Sequence, residues 1–287
     1  MVDASPADGA ILGRRSATNR LALRGALSNR SDMTSRRDES WRPPVFGGSR
    51  TRAERALAAL RRFFDLQAGS VWRDLSALLP QCSGVVVDVG SGAQPYRGLL
   101  GTNTSYIGID IAEAKSQFGY ETSDTIYFRG DRWPLEDRSA DVILCTETLE
   151  HVADTARFLS EAARLVTPGG PLILTVPFAA RYHFIPYDYW RFTPASLGRT
   201  LSMAGFSDIE VFARGNALTV ACYKAMALML PLVFSPATSI ALRLVRLILG
   251  LVLIPLIVVL AILGNLSLLG RGGDDCLGYT AVAYRVK

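Results

Sequence analysis

The stretch Val85-Val-Val-Asp88-Val-Gly90-Ser-Gly92-Ala-Gln-Pro-Tyr96 decides the fold. A β-branched run opened by Gly84 passes into a Gly-x-Gly turn and then toward a helix. A strand that is apolar on both faces belongs in a parallel sheet, where helices on either side hide it from water. Gly90 and Gly92 let the backbone approach a ligand at the carboxyl edge of that sheet. Tyr106-Ile-Gly-Ile-Asp110 supplies a second strand ending in an acid, 18 residues after Gly92. A carboxylate there can accept both hydroxyls of a ribose. Pro95 and Tyr96 stand where a dinucleotide fingerprint would place its third glycine, which argues against a pyrophosphate site.

Outward from this centre, short apolar runs recur at 125–128, 141–145, 172–176, 206–213 and 278–286. Helical patterns fall at 53–66, 71–79 and 155–166. Alternating strands and helices predict an α/β fold with helices on both faces of a mostly parallel sheet. The 287 residues, 49% hydrophobic and 20% charged, suffice for one large domain or two small ones. They exclude a collagen-like or disulfide-stapled chain. Four separated cysteines form no CxxC pair and read as reduced thiols without a zinc site.

The net charge of +5 is uneven. Residues 1–62 carry 13 Arg and no Lys against 6 acids, leaving the rest near neutral. Positive charge is therefore missing from the part expected to fold, which speaks against a nucleic-acid partner. Residues 1–50, rich in Ser, Arg, Gly and Pro, read as a disordered basic arm without a secretory h-region.

With these residues in place, the chain resembles the class I S-adenosylmethionine-dependent methyltransferases, closest in style to the ubiquinone and menaquinone biosynthesis type. Four further segments match in order: Gly130-Asp131-Arg132-Trp133-Pro134-Leu135, then Ala140-Asp-Val-Ile-Leu-Cys-Thr-Glu147-Thr-Leu-Glu150-His151, then Thr167-Pro-Gly169-Gly170, and finally Phe192-Thr-Pro to Gly205-Phe206. The resemblance implies a Rossmann-like, mostly parallel seven-stranded sheet with an antiparallel last strand, and S-adenosylmethionine as cofactor. It implies that Asp88, Gly90 and Gly92 line the methionine end, that Asp110 holds the ribose, and that Asp131 and Arg132 flank the adenine. Glu147 would stand near the methionine or the acceptor.

Only two histidines occur, His151 and His183, both in loops expected at the carboxyl edge of the sheet. Tyr182-His183-Phe-Ile-Pro-Tyr187-Asp188-Tyr-Trp-Arg191 is both aromatic and polar, and resembles a segment that caps the acceptor pocket in a subset of the family. His183, His151 and Asp188 are the candidate catalytic residues; a loop held together by hydrogen bonds from His183 and Asp188 is the plainer alternative. Relatives with an E-x-x-E-H string like Glu147 to His151 bind a divalent cation in some cases, but no metal is assigned here.

Between the expected sixth and last strands lies an insertion, 217–276, where the family needs only a turn. Residues 247–269 are free of charge. As a helix they reach about 35 Å, enough for a hydrocarbon core of roughly 30 Å. A single crossing would separate strands that must pair, so a hydrophobic helical hairpin that enters and returns fits better. A buried subdomain or oligomer interface is the alternative. The expected organisation is an arm (1–50), a methyltransferase core (51–216), a membrane-associating insertion (217–276) and the last core strand (277–287). The expected activity is methylation of a hydrophobic or lipid-linked acceptor, such as a quinone precursor, polyprenyl-linked saccharide or glycolipid, on the cytoplasmic side of a membrane. A soluble acceptor, or a scaffold without turnover, are the competing readings.

Overall fold

The computed structural model describes residues 51–234 and 239–287, with Met33 and Glu39. Apart from those two residues, the arm expected over 1–50 lies outside the described residues. Seven strands form one sheet: β1 (Gly84–Val89), β2 (Thr104–Ile111), β3 (Thr125–Phe128), β4 (Val142–Thr146), β5 (Pro171–Pro177), β6 (Phe206–Arg214) and β7 (Gly278–Arg285). Their order is β3-β2-β1-β4-β5-β7-β6. The first five run parallel, and β7 lies antiparallel between β5 and β6. The chain reverses its direction of travel across the sheet between β1 and β4, and ligands of open α/β sheets bind beyond the strand ends at such a point.

Alternation along the strands divides the core. Val87, Ile143, Leu172 and Leu174 pack against α4 (Thr155–Leu165) and α5 (Pro194–Met203). Their neighbours Val86, Leu144 and Ile173 face Val71 and Leu75 of α2 (Leu66–Leu78). The helical pattern at 53–66 resolves into α1 (Arg52–Phe64) and the start of α2. Asp65 separates them, because its side chain accepts from the Ala68 N–H at 3.2 Å and starts a new helix. A short α3 (Ala114–Phe118) ends at Gly119, whose φ of 84° provides the left-handed stop.

The insertion forms α6 (Ala217–Phe234) and α7 (Ile240–Ser267), which pack along each other. α7 starts seven residues before the charge-free run, since Arg243 and Arg246 continue a helix readily. Cys222, Met226, Ile257 and Ala261 form a third core with Leu66 and Leu277. A side chain at Gly264 would collide with Leu66 at 2.4 Å, so the glycine permits this close approach. The rest of the pair is uncovered. Leu247, Leu251 and Val252 are each about two-thirds exposed. Only 22% of the apolar 18-residue window within 243–267 is buried, at a mean hydropathy of 3.1. By length and composition alone, both helices could cross a membrane.

Candidate functional site: two cavities that meet at Glu147 and His151

The turn after β1 is built by glycines with φ of 69° (Gly90) and 52° (Gly92). A Cβ at Gly90 would fall 2.3 Å from the Thr148 methyl, so the turn can lie against the loop after β4 only without a side chain. Gly92 donates its N–H to Asp110 Oδ2 at 3.0 Å, and the Ile111 N–H reaches Oδ1 at 2.8 Å. Asp110 thus binds the glycine turn to the end of β2 and keeps one accepting position on each oxygen. Burial raises its pKa to about 6, against the pull of the two N–H groups.

Asp88 stands one layer behind this wall. It is 1% exposed and does not line the cleft, contrary to the expectation that it would. Its Oδ2 accepts from the Tyr106 hydroxyl at 2.8 Å, while Oδ1 is buried with no partner. Burial lifts its pKa to about 7; the Tyr106 bond opposes this and the charge of Asp110 adds to it. Gly92 also stays off the cavity surface, under the Tyr120 ring.

The cleft itself has a volume of about 350 Å³. Gly90, Asp110, Tyr120, Phe128, Asp131, Trp133 and Phe158 contribute to its lining. Asp131 lines the cleft, paired with Arg157 at 3.3 Å. Arg132 does not. Trp133, 3% exposed, anchors the turn against Phe158 and in doing so directs Arg132 outward to Asp137, at 3.4 Å. The apolar wall comes instead from Phe128, Trp133 and Phe158, of which only Trp133 lay within the motif.

A second cavity of about 800 Å³ opens beside the first. Its walls are apolar: Leu57, Leu60 and Phe64 of α1, Leu230 and Phe234 of α6, Ile254 and Ile257 of α7. Its polar lining includes Asp65, Gln67, Tyr96, His183, Glu147 and His151, and the last two also line the cleft. Glu147 is held with φ at 47°, an uncommon conformation for a side-chain-bearing residue. Its N–H donates to the Thr175 carbonyl at 3.0 Å and hydroxyl at 3.1 Å, and its Oε1 accepts from Arg214 at 2.7 Å. Arg214 lies 67 positions away on β6, and nothing in the local sequence pairs the two.

The loop between β5 and α5 brings the histidines together, with ring centroids 5.0 Å apart. His183 Nδ1 lies 2.8 Å from the Arg181 carbonyl and 3.1 Å from Asp188 Oδ2. Both partners only accept, so Nδ1 carries a proton. His151 repeats the arrangement, its Nδ1 2.8 Å from the Tyr187 carbonyl. Burial, then the neighbouring His183, lowers the His151 pKa to about 4. Asp188, expected among the catalytic groups, lines neither cavity: its side chain is 1% exposed and clamped by both Arg191 nitrogens at 2.6 and 2.8 Å. Burial alone would raise its pKa, but the bonds from His183 and Arg191 outweigh it and hold the carboxyl far below the usual range. It positions His183. Glu150 is fully buried with neither oxygen hydrogen-bonded, its Oε1 lying 3.7 Å from His151 Nε2, and burial followed by the charge of Glu147 raises its pKa well above normal. One ligand atom each of Glu150, His151 and His183 lies within 4.8 Å of the others, so this trio, not Glu147, could hold a metal ion.

Residues 87–174 match the family described as methyltransferase domain. The chain is 30% identical over 168 residues to a ubiquinone biosynthesis O-methyltransferase of Thiobacillus denitrificans (strain ATCC 25259 / T1), covering 49% of this chain and 71% of that protein. It is 30% identical over 118 residues to a dimethylglycine N-methyltransferase of Parasynechococcus marenigrum (strain WH8102), covering 37% of this chain and 42% of the relative. The chain thus spans less than half the length of the latter. Among solved structures, a SAM-dependent methyltransferase of Thermotoga maritima, possibly a histamine N-methyltransferase, superimposes with a TM-score of 0.47 at 16% identity, covering 82% of this chain and 96% of that one.

Proposed function

Because this chain belongs to the class I S-adenosylmethionine-dependent methyltransferases and uses that cofactor, we propose that it methylates a hydrophobic or lipid-linked acceptor at a membrane. The observation that carries this reading is the meeting of a small cleft and a large apolar cavity at Glu147 and His151.

The cleft suits a nucleoside that bears a positive charge. Asp110 has free accepting positions for a ribose diol. Phe128, Trp133 and Phe158 offer an apolar slot for a base. When bound, S-adenosylmethionine supplies a methyl group on a cationic sulfur that an in-line nucleophile can displace. The protein has to align the acceptor atom and exclude water. The aromatic loop closes one side of the larger cavity through His183 and Phe184 and serves that exclusion. His183, which lines the acceptor cavity, takes at Nε2 the proton that an oxygen or nitrogen acceptor loses, and Asp188 stabilises the resulting imidazolium through Nδ1. His151 stays neutral at pH 7 and contributes no competing charge beside the transferring group.

The acceptor cavity favours an amphiphile, with apolar walls and polar groups near the cleft. Two of its walls, α6 and α7, are also the helices with uncovered apolar surface. The insertion leaves from β6 and returns to β7, which pair in one sheet, so it enters and leaves the bilayer on one side. That side is the cytoplasmic one in our reading.

The test is to incubate the full chain with membrane extract and cofactor carrying a radiolabelled methyl group, then to extract with organic solvent. Label in the lipid phase, absent with Asp110→Ala, is the expected result. Label confined to water-soluble products would overturn the choice of acceptor.

A further inference from the structure

Among the described residues, the first helix packs on the third core only through Phe63 and Phe64 at its C-terminal end, and the apolar pattern before them is left uncovered. In α1, Leu57, Leu60 and Phe64 lie at i, i+3 and i+7 on one side, while Arg52, Arg55 and Arg62 fall on the other. Such a helix normally buries its apolar side against its own sheet, yet α1 has no buried residue. Leu57 is 66% exposed and Leu60 55%. Its C-terminal end is fixed: Asn265 of α7 donates to the Phe63 carbonyl at 2.9 Å, and the Arg62 guanidinium lies 3.8 Å over the Trp72 ring. Its first turn is closed by a capping box, in which Thr51 and Glu54 satisfy each other.

We propose that α1 is an in-plane interfacial helix that lies on an anionic lipid bilayer and forms the movable wall through which the acceptor enters the 800 Å³ cavity. This rests on the membrane reading above. Two observations select the partner. The apolar side of α1 continues the uncovered surface of α6 and α7, with which it shares the cavity. The opposite side is strongly cationic, since Glu54 is the helix's one acid and is engaged in its cap. Apolar residues toward acyl chains and arginines at headgroup level describe a helix at the surface of a negatively charged leaflet. A second copy of the chain would have to cover those arginines with acids, and a neutral bilayer would leave them without counter-charge.

Flotation of the full chain with vesicles of phosphatidylcholine, or of phosphatidylcholine mixed equally with phosphatidylglycerol, tests this. Each arginine near an anionic surface alters partition roughly five-fold. Arg52→Gln with Arg55→Gln should therefore lower partition to the mixed vesicles on the order of twenty-fold or more, and leave partition to neutral vesicles unchanged. The same two-charge loss at Arg129 and Arg199 should have a much smaller effect. Leu57→Asn with Leu60→Asn should lower partition to both kinds and abolish the protection that vesicles give the 52–60 amides in hydrogen exchange. Melting temperature and cofactor binding check that each variant folds. If the α1 variants float like the parent, the inference fails while the membrane reading stands. If the parent floats with neither vesicle, both fail.

Discussion

Arg214 donates to Glu147 at 2.7 Å, joining the end of β6 to the loop after β4 across two intervening strands. The guanidinium is completely buried, and it also reaches Ser70 of α2 at 3.2 Å and the Val176 carbonyl of β5 at 3.0 Å. Four elements therefore meet at one cation beside the junction of the two cavities. Glu147 keeps its strained backbone because this contact and the bonds to Thr175 hold it from both sides.

Removing that cation should cost stability and alignment together. Arg214→Leu strands Glu147 beside an apolar wall, and loss of a buried partner typically costs about 3–5 kcal/mol. Glu147 is partly solvated, so the lower end, roughly 3 kcal/mol, applies. Adding Glu147→Gln should recover part of the loss, which a double-mutant cycle in thermal unfolding would read. Additive effects would show that the pair is not coupled.

His183→Asn should lower kcat by about 10²–10⁴ with little change in cofactor affinity, the usual range for loss of a general base. Asp188→Asn should lower kcat less and alter its pH profile, because the imidazolium loses its counter-charge. Single-turnover measurements at saturating cofactor would check both. A His183 variant with full turnover would remove it from the chemistry.

Asp88 predicts a pH signature in the ligand-free protein. Its folded pKa, about 7, lies above its unfolded value of 3.8. The folded state therefore holds a proton that the unfolded state releases, and stability falls as pH rises from about 4 to 7, then levels off. His151 acts in the opposite sense: its pKa near 4 against 6.5 unfolded means stability rises with pH over that window. Asp88→Asn removes the first effect alone. The variant should gain stability over the parent progressively from pH 4 to 7, by up to a few kcal/mol. Parallel stability curves would contradict the assignment.

Much of this was legible in the sequence because it is local. The run from Val85 to Gly92 states its strand and its turn, and Asp110 closes the second strand at the expected distance. The same holds for the apolar helices, whose composition needs no context. What escaped was set by tertiary packing. Arg132 was read by its place in a motif, but the burial of Trp133 decides where its side chain goes. Asp188 was a catalytic candidate with a loop-holding role as the alternative, and its bidentate clamp by Arg191 could not be read from the sequence. The Glu147–Arg214 contact, Tyr96 on the cavity lining, and the use of α1, α6 and α7 as cavity walls all join residues far apart in the chain. No periodicity or spacing reports such meetings.

In the proposed reading, the cleft holds a sulfonium nucleoside through Asp110, the acid at the end of β2. Isothermal titration of S-adenosylmethionine into the full chain and into Asp110→Ala measures it directly. Loss of hydrogen bonds to a charged acceptor should weaken binding by about 10- to 100-fold. Equal affinities for the two proteins, or no heat with either, would contradict it.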